Sequence, residues 1–203
     1  MEKFLNIMIE KILPDQSEKF FSAEDSEMWK QLVDKNNNLT RSATCLLVFR
    51  LIQSLLSPCR ISSKILQDVE NTKNVSKKFY SLRESRDAFL IKCTNETDLN
   101  EKVSIKLAKE SSVSPYIFIV GSLNQAQAFI VNFENITYKF HSLTKAIDIC
   151  FKAYTLFNIA YPEACSSVWD IINRVFYKLP DDNTNTKPST YLLINEIRTA
   201  MEQ

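Results

Sequence analysis

Cysteine, histidine and clustered carboxylates are the side chains here that could do covalent, metal or proton chemistry. Cys45, Cys59, Cys93, Cys150 and Cys165 are the thiols and His141 is the single imidazole. A cysteine nucleophile needs a base beside its sulfur, so the pairing to weigh is one of these thiols with His141; such partners meet in space and need not be neighbours in sequence. The surroundings argue against it. Cys150 and Cys165 fall on apolar stripes of helical spacing, where a thiol stays protonated and inert. No C-x-x-C spacing frames a zinc site. His141 stands at the end of a strand pattern, just before a helix, with no carboxylate or thiolate marked as its partner. The runs Glu24-Asp25-Ser26-Glu27 and Asp181-Asp182 lie at a helix start and in a linker, positions that dipole complementation and solvation explain without acid-base or metal chemistry. The expectation is therefore no catalytic residue, no bound metal and no cofactor.

Glycine sharpens that exclusion. Gly121 is the only one in 203 residues, where average usage gives about fourteen. Phosphate-cradling loops, dinucleotide fingerprints and nucleophile elbows need glycine where backbone approaches a ligand or takes positive φ, and none can be written here.

A second chemistry is cationic. Arg60, Lys64, Lys73, Lys77, Lys78, Arg83, Arg86 and Lys92 outnumber Asp68, Glu70, Glu84 and Asp87, with Phe79-Tyr80 among them. Cations interleaved with aromatics can contact phosphates and stack on bases, so Lys73, Lys77, Lys78, Arg83 and Arg86 are candidate nucleic-acid contacts. The plainer reading places Phe79 and Leu82 in the core and the lysines in water. Over the whole chain 25 basic and 24 acidic residues nearly cancel, so any such partner is met through a local patch.

These groups must be positioned by elements that the apolar periods outline. Phe4, Ile7, Met8 and Ile12 recur at helical spacing and Pro14 closes that helix. Ser22, ahead of the acidic turn, starts a second helix running to about Lys35, and Thr40 caps an apolar helix from Ala43 to Leu56. That run falls short of the roughly 20 residues that span a bilayer, so it reads as buried and no membrane span is expected. One or two helices follow between Ser62 and Lys92, then a polar boundary or long loop from Cys93 to Asn100. Val103, Ile105 and Leu107 fit an edge strand or a short helix. Three strands come next, Tyr116–Val120, Ala126–Phe133 and Ile136–His141, with a turn at Glu134-Asn135.

The helix over 143–158 is apolar around most of its circumference, with Lys145, Asp148, Lys152 and Thr155 as its polar strip. Ile147, Cys150, Phe151, Tyr154 and Phe157 are expected to be buried. Helices over 162–179 and 190–201 complete the chain. The fold expected is α+β: a helical region 1–92, then an α+β region 93–203, as two parts or one continuous domain, in which a three-stranded antiparallel meander (116–141) with one wetter face packs on the C-terminal helices.

The Gln127–Asn132 run, the helix from Leu143 to Asn158, and Tyr161-Pro162 through Trp169 to Phe176-Tyr177 resemble the closing segment of uncharacterised animal proteins, some associated with transposable elements. The likeness covers about 116–179. It implies a strand-plus-helix module of unassigned role and transfers no functional residue.

The odd, scattered cysteines suit buried small side chains in a reducing compartment, and the first residues lack a signal-peptide pattern, so an intracellular protein, cytoplasmic or nuclear, is expected. The N-x-S/T triplets at Asn38, Asn74, Asn95 and Asn135 then follow from composition. The functional expectation is a non-enzymatic protein-interaction or oligomerisation module. It would contact another protein or a second copy through Phe151, Tyr154, Phe157, Trp169 and Phe176. The alternative is nucleic-acid association through 60–92.

Overall fold

The helical spacing of Phe4, Ile7, Met8 and Ile12 is realised, in a computed structural model, as one helical run that Pro14 does not close. The run consists of α1 (Glu2–Ile7), a π-helical turn (Met8–Ile12) and α2 (Leu13–Phe20). Pro14 sits in the first turn of α2, where a missing N–H is tolerated, and the wider π turn before it relieves the ring's clash with the preceding carbonyls. The structure describes residues 1–34, 36–56, 80–109, 114–134, 136–180 and 186–203. Cys59, Arg60, Lys64, Lys73, Lys77, Lys78, Phe79, Asn135, Asp181 and Asp182, together with most of the helical stretch expected after Ser62, lie outside them.

Ser22 starts α3 (Ala23–Val33) through a reciprocal cap: its Oγ accepts from the Asp25 N–H at 3.2 Å and its own N–H donates to the Asp25 carboxylate at 3.0 Å. Thr40 caps α4 (Arg41–Leu55) by accepting from Ala43 N–H at 3.2 Å. Every residue of α4 from Cys45 to Gln53 is buried, including Arg50 and Gln53, so this helix is enclosed on all sides, by α1, α2, α3, α5, α7 and α8. A Ser81–Glu84 capping box opens α5 (Leu82–Phe89).

The chain then departs from the expected order. Ile91–Cys93 is a strand, β1, so the helix expected up to Lys92 ends earlier. The polar run after it opens a helix: Asn95 Oδ1 accepts from Asp98 N–H at 2.9 Å and the Asp98 carboxylate accepts from Thr94 N–H at 2.7 Å, which caps α6 (Glu96–Lys109). Val103 and Ile105 belong to this helix and to no edge strand.

β1 pairs parallel with β2 (Tyr116–Gly121), with α6 as the crossover, and β2, β3 (Ala126–Phe133) and β4 (Ile136–Phe140) form the antiparallel meander. Among the described residues the sheet is thus four-stranded and mixed, in the order β1-β2-β3-β4, and the expected three antiparallel strands are its larger part. Ile117, Ile119, Phe129 and Val131 face the helical core, while Phe118, Val120, Ala128 and Ile130 pack with Leu99 and Val103 of α6. Both faces of β2 are covered, while β4 is exposed along most of its length, so the wetter part of the meander is its outer strand and not one whole face. Gly121 ends β2 at φ +106° beside an irregularity in the register, and the hairpin turn uses Glu134 at φ 54°.

α7 (Leu143–Leu156) stops two residues short of its expected end. A 3-10 turn (Glu163–Cys165), α8 (Ser166–Ile172) and a π turn (Asn173–Tyr177) fill 162–179, and α9 (Pro188–Glu202) starts two residues early with Pro188 in its first turn. One apolar cluster takes Phe4 and Met8 from the N-terminal run, Phe49 from α4, Phe151 from α7, Trp169 from α8 and Ile194 from α9. It therefore draws on both sides of the Lys92/Cys93 division. No helix among the described residues is long and apolar enough to cross a membrane.

Candidate functional site

Thiol chemistry meets a buried setting. Cys45, Cys93, Cys150 and Cys165 are all buried, and burial pushes the Cys45 thiol up to about 12 and that of Cys93 to about 11. Cys150, enclosed and next to Cys165, lies well above the ordinary range; its Sγ faces the Pro115 carbonyl at 3.7 Å. His141 is exposed at the link from β4 to α7. Among the described residues no three of His, Cys, Asp or Glu gather as metal ligands.

The aromatic residues read from the sequence as an interaction surface divide sharply. Phe151, Tyr154 and Trp169 are core residues: Phe151 stacks on Tyr177 at 3.9 Å between centroids, and Trp169 meets Tyr154 at 5.1 Å and Phe89 at 5.2 Å. Tyr154 also donates its hydroxyl to the Pro115 carbonyl at 2.8 Å, which ties α7 to the start of β2. Phe176 is half-buried, edge-on to Phe4 at 4.9 Å. Phe151, Tyr154 and Trp169 are thus enclosed in the core, and Phe176 packs partly against it.

Phe157 departs from expectation in the other direction. Because α7 ends at Leu156, Phe157 becomes its C-cap and is 62% exposed, and Leu156 is 78% exposed. The Phe157 ring lies 5.1 Å from that of Phe133 at the end of β3. Directly paired residues of an antiparallel ladder share a face, so the pairs Phe133↔Ile136 and Val131↔Tyr138 bring two more apolar side chains to this side of the sheet. Ile136 is 52% exposed and Tyr138 46%. The result is an apolar strip of Phe157, Phe133, Ile136 and Tyr138 along β4, a terminal strand of the sheet among the described residues, in which Lys139 is the one charged residue. The strict alternation in β4 identified a strand; it carried no sign that Phe140 alone of its apolar residues packs on the core while Ile136 and Tyr138 stay exposed.

The basic stretch is reorganised too. Arg83 points into water and pairs with Asp87 at 3.8 Å. Arg86 is buried: its Nη2 donates to Asp25, to Ser54 Oγ at 2.9 Å and to the Arg50 carbonyl at 3.2 Å, so it is not a free phosphate contact. The helical period hid this, because α5 is too short for its apolar face to be legible. Beside Arg86 runs a cleft of about 1640 Å3 with Arg50, Leu82, Lys92, Ile105 and Tyr116 among its walls. Burial, and then the charge of Arg86, pull the Arg50 pKa below its ordinary value, against the opposing fields of Asp87, Glu24 and Asp25.

No protein-family model matches the chain, and no curated protein or solved structure matches it.

Proposed function

We propose that this chain is a non-enzymatic protein-interaction module, intracellular, whose docking face is the β4 edge with its apolar strip. The observation that carries this reading is the exposure of Phe157, whose ring meets Phe133, together with that of Ile136 and Tyr138 on a terminal strand. An outermost strand presents unpaired N–H and C=O groups, and natural edges are usually guarded by proline, several charges or a covering element. Here one lysine is the guard, and the apolar side chains next to it gain by being covered. An added strand, from another protein or a second copy, would extend the ladder while its side chains cover the strip.

The nucleic-acid alternative keeps Arg83 and Lys92 as exposed cations and loses Arg86 to its buried ion pair. Its support in the described residues is correspondingly small.

Sedimentation across a concentration range, with hydrogen exchange of the β4 amides, tests the interaction reading. Self-association, or binding of an added partner, should protect β4 and be lost in Phe157→Asp and Tyr138→Asp, which leave the core intact. A chain that stays monomeric with unprotected β4 amides and loses no partner on either substitution would refute it.

A further inference from the structure

An arginine that is nearly enclosed and makes no hydrogen bond through two of its nitrogens is costly, because the desolvated cation is left without a counter-group. Arg50 is such a residue. It is 8% exposed on the otherwise apolar α4, and its Nε and Nη1 have no partner among the described residues. The nearby carboxylates are engaged elsewhere. Asp25 is held by Arg86 and Ser22; Glu24 stands mostly in water, 4.0 Å from Arg86; Asp87 turns to Arg83. Two buried guanidinium groups thus face one buried carboxylate.

What little of Arg50 is accessible opens on the cleft between α5, β1, α6 and the Glu163–Cys165 turn. Leu82, Ile105 and Tyr116 give that cleft apolar and aromatic walls, and its charged lining is mixed, with Lys92, Lys102 and Lys106 among the cations and Glu24, Glu84 and Glu163 among the carboxylates. We propose that the cleft binds a small organic anion, with an oxyanion head, carboxylate or phosphate, on Arg50 and an apolar or aromatic body along Tyr116 and Ile105. The planar guanidinium matches either head in a two-pronged contact. Its Nε and Nη1 make no hydrogen bond, so it can turn toward the ligand without surrendering one, whereas Arg86 is fixed by three acceptors. The recessed position favours a small ligand over a polymer: a phosphate in a nucleic-acid backbone would have to carry its chain into the cleft to reach Arg50. This inference is independent of the β4 edge.

Calorimetric titration of the full chain with phenyl phosphate, benzoate and the neutral control phenol tests it. Saturable binding of phenyl phosphate or benzoate, none of phenol, and a Kd weakened at least about tenfold in Arg50→Met are the expected results, the stronger anion identifying the preferred head. In anion-free buffer Arg50→Met should also melt above the parent protein, since an apolar chain of similar length replaces an uncompensated charge. If Arg50→Met does not fold, Arg50→Gln gives the same binding readout. Equal binding by parent and variant, or no binding of either anion by the folded parent, overturns the proposal.

Discussion

Arg86 and Asp25, 61 positions apart in the chain, close an ion pair inside the protein, with the guanidinium donating to a carboxylate that Ser22 also binds. The pair joins α5 to the first turn of α3, and through the Arg50 carbonyl and Ser54 it also engages α4. A local capping box and a long-range tie therefore share one carboxylate.

Removing one member leaves the other charged and enclosed. Arg86→Ala is expected to cost about 3–5 kcal/mol in urea unfolding near neutral pH. Burial alone would raise the Asp25 pKa; the hydrogen bonds from Arg86 and Ser22, with the Arg86 charge, outweigh it and hold the carboxyl below its ordinary 3.8. The folded protein thus takes up this proton less readily than the unfolded chain. Its contribution is complete above 3.8 and is lost as pH falls below that value toward the depressed folded pKa. Asp25→Asn should be less stable near neutral pH and show a shallower acid decline; parallel curves for parent and variant would contradict the assignment.

Phe151 and Phe157, six residues apart, should behave oppositely. Phe151→Ala empties a fully enclosed site against Tyr177 and is expected to cost about 3–5 kcal/mol. Phe157→Ala forfeits chiefly the ring contact with Phe133, under about 1.5 kcal/mol. Denaturant melts of the two variants side by side check the order.

Gly121 takes φ +106°, and a Cβ there would stand 3.1 Å from the Gln125 carbonyl oxygen. Gly121→Ala should cost about 1–3 kcal/mol while leaving the circular dichroism spectrum unchanged. A neutral substitution would show that the turn after β2 relaxes freely.

Where a segment is long and its side chains sort by period, the sequence was readable. The α4 run, the β2–β4 meander and the α7 stripe of Ile147, Cys150, Phe151 and Tyr154 lie where periodicity put them. Ile91-Lys92-Cys93 was not readable, because three residues contain no period and the parallel partner of β1 lies beyond a fourteen-residue helix. Pro14 misled because a π turn, which leaves no mark in composition, made room for its ring. Phe157 misled because helical spacing says which face a residue would occupy and not where the helix ends. Arg86 and Arg50 were invisible for another reason: whether a cation faces water or a buried carboxylate depends on neighbours 61 and 36 residues away.

Phe4 finds its edge-on partner in Phe176, and α1 lies against α9. The ribosome delivers the N-terminal helices first, so Phe4, Met8 and the enclosed face of α4 emerge long before the residues that cover them. Synthesis must run almost to the end of α9 before this core can shut. Until then a nascent chain carries an open apolar flank, which makes the interval between Leu55 and Ile197 the period in which it depends most on whatever shields hydrophobic segments during translation.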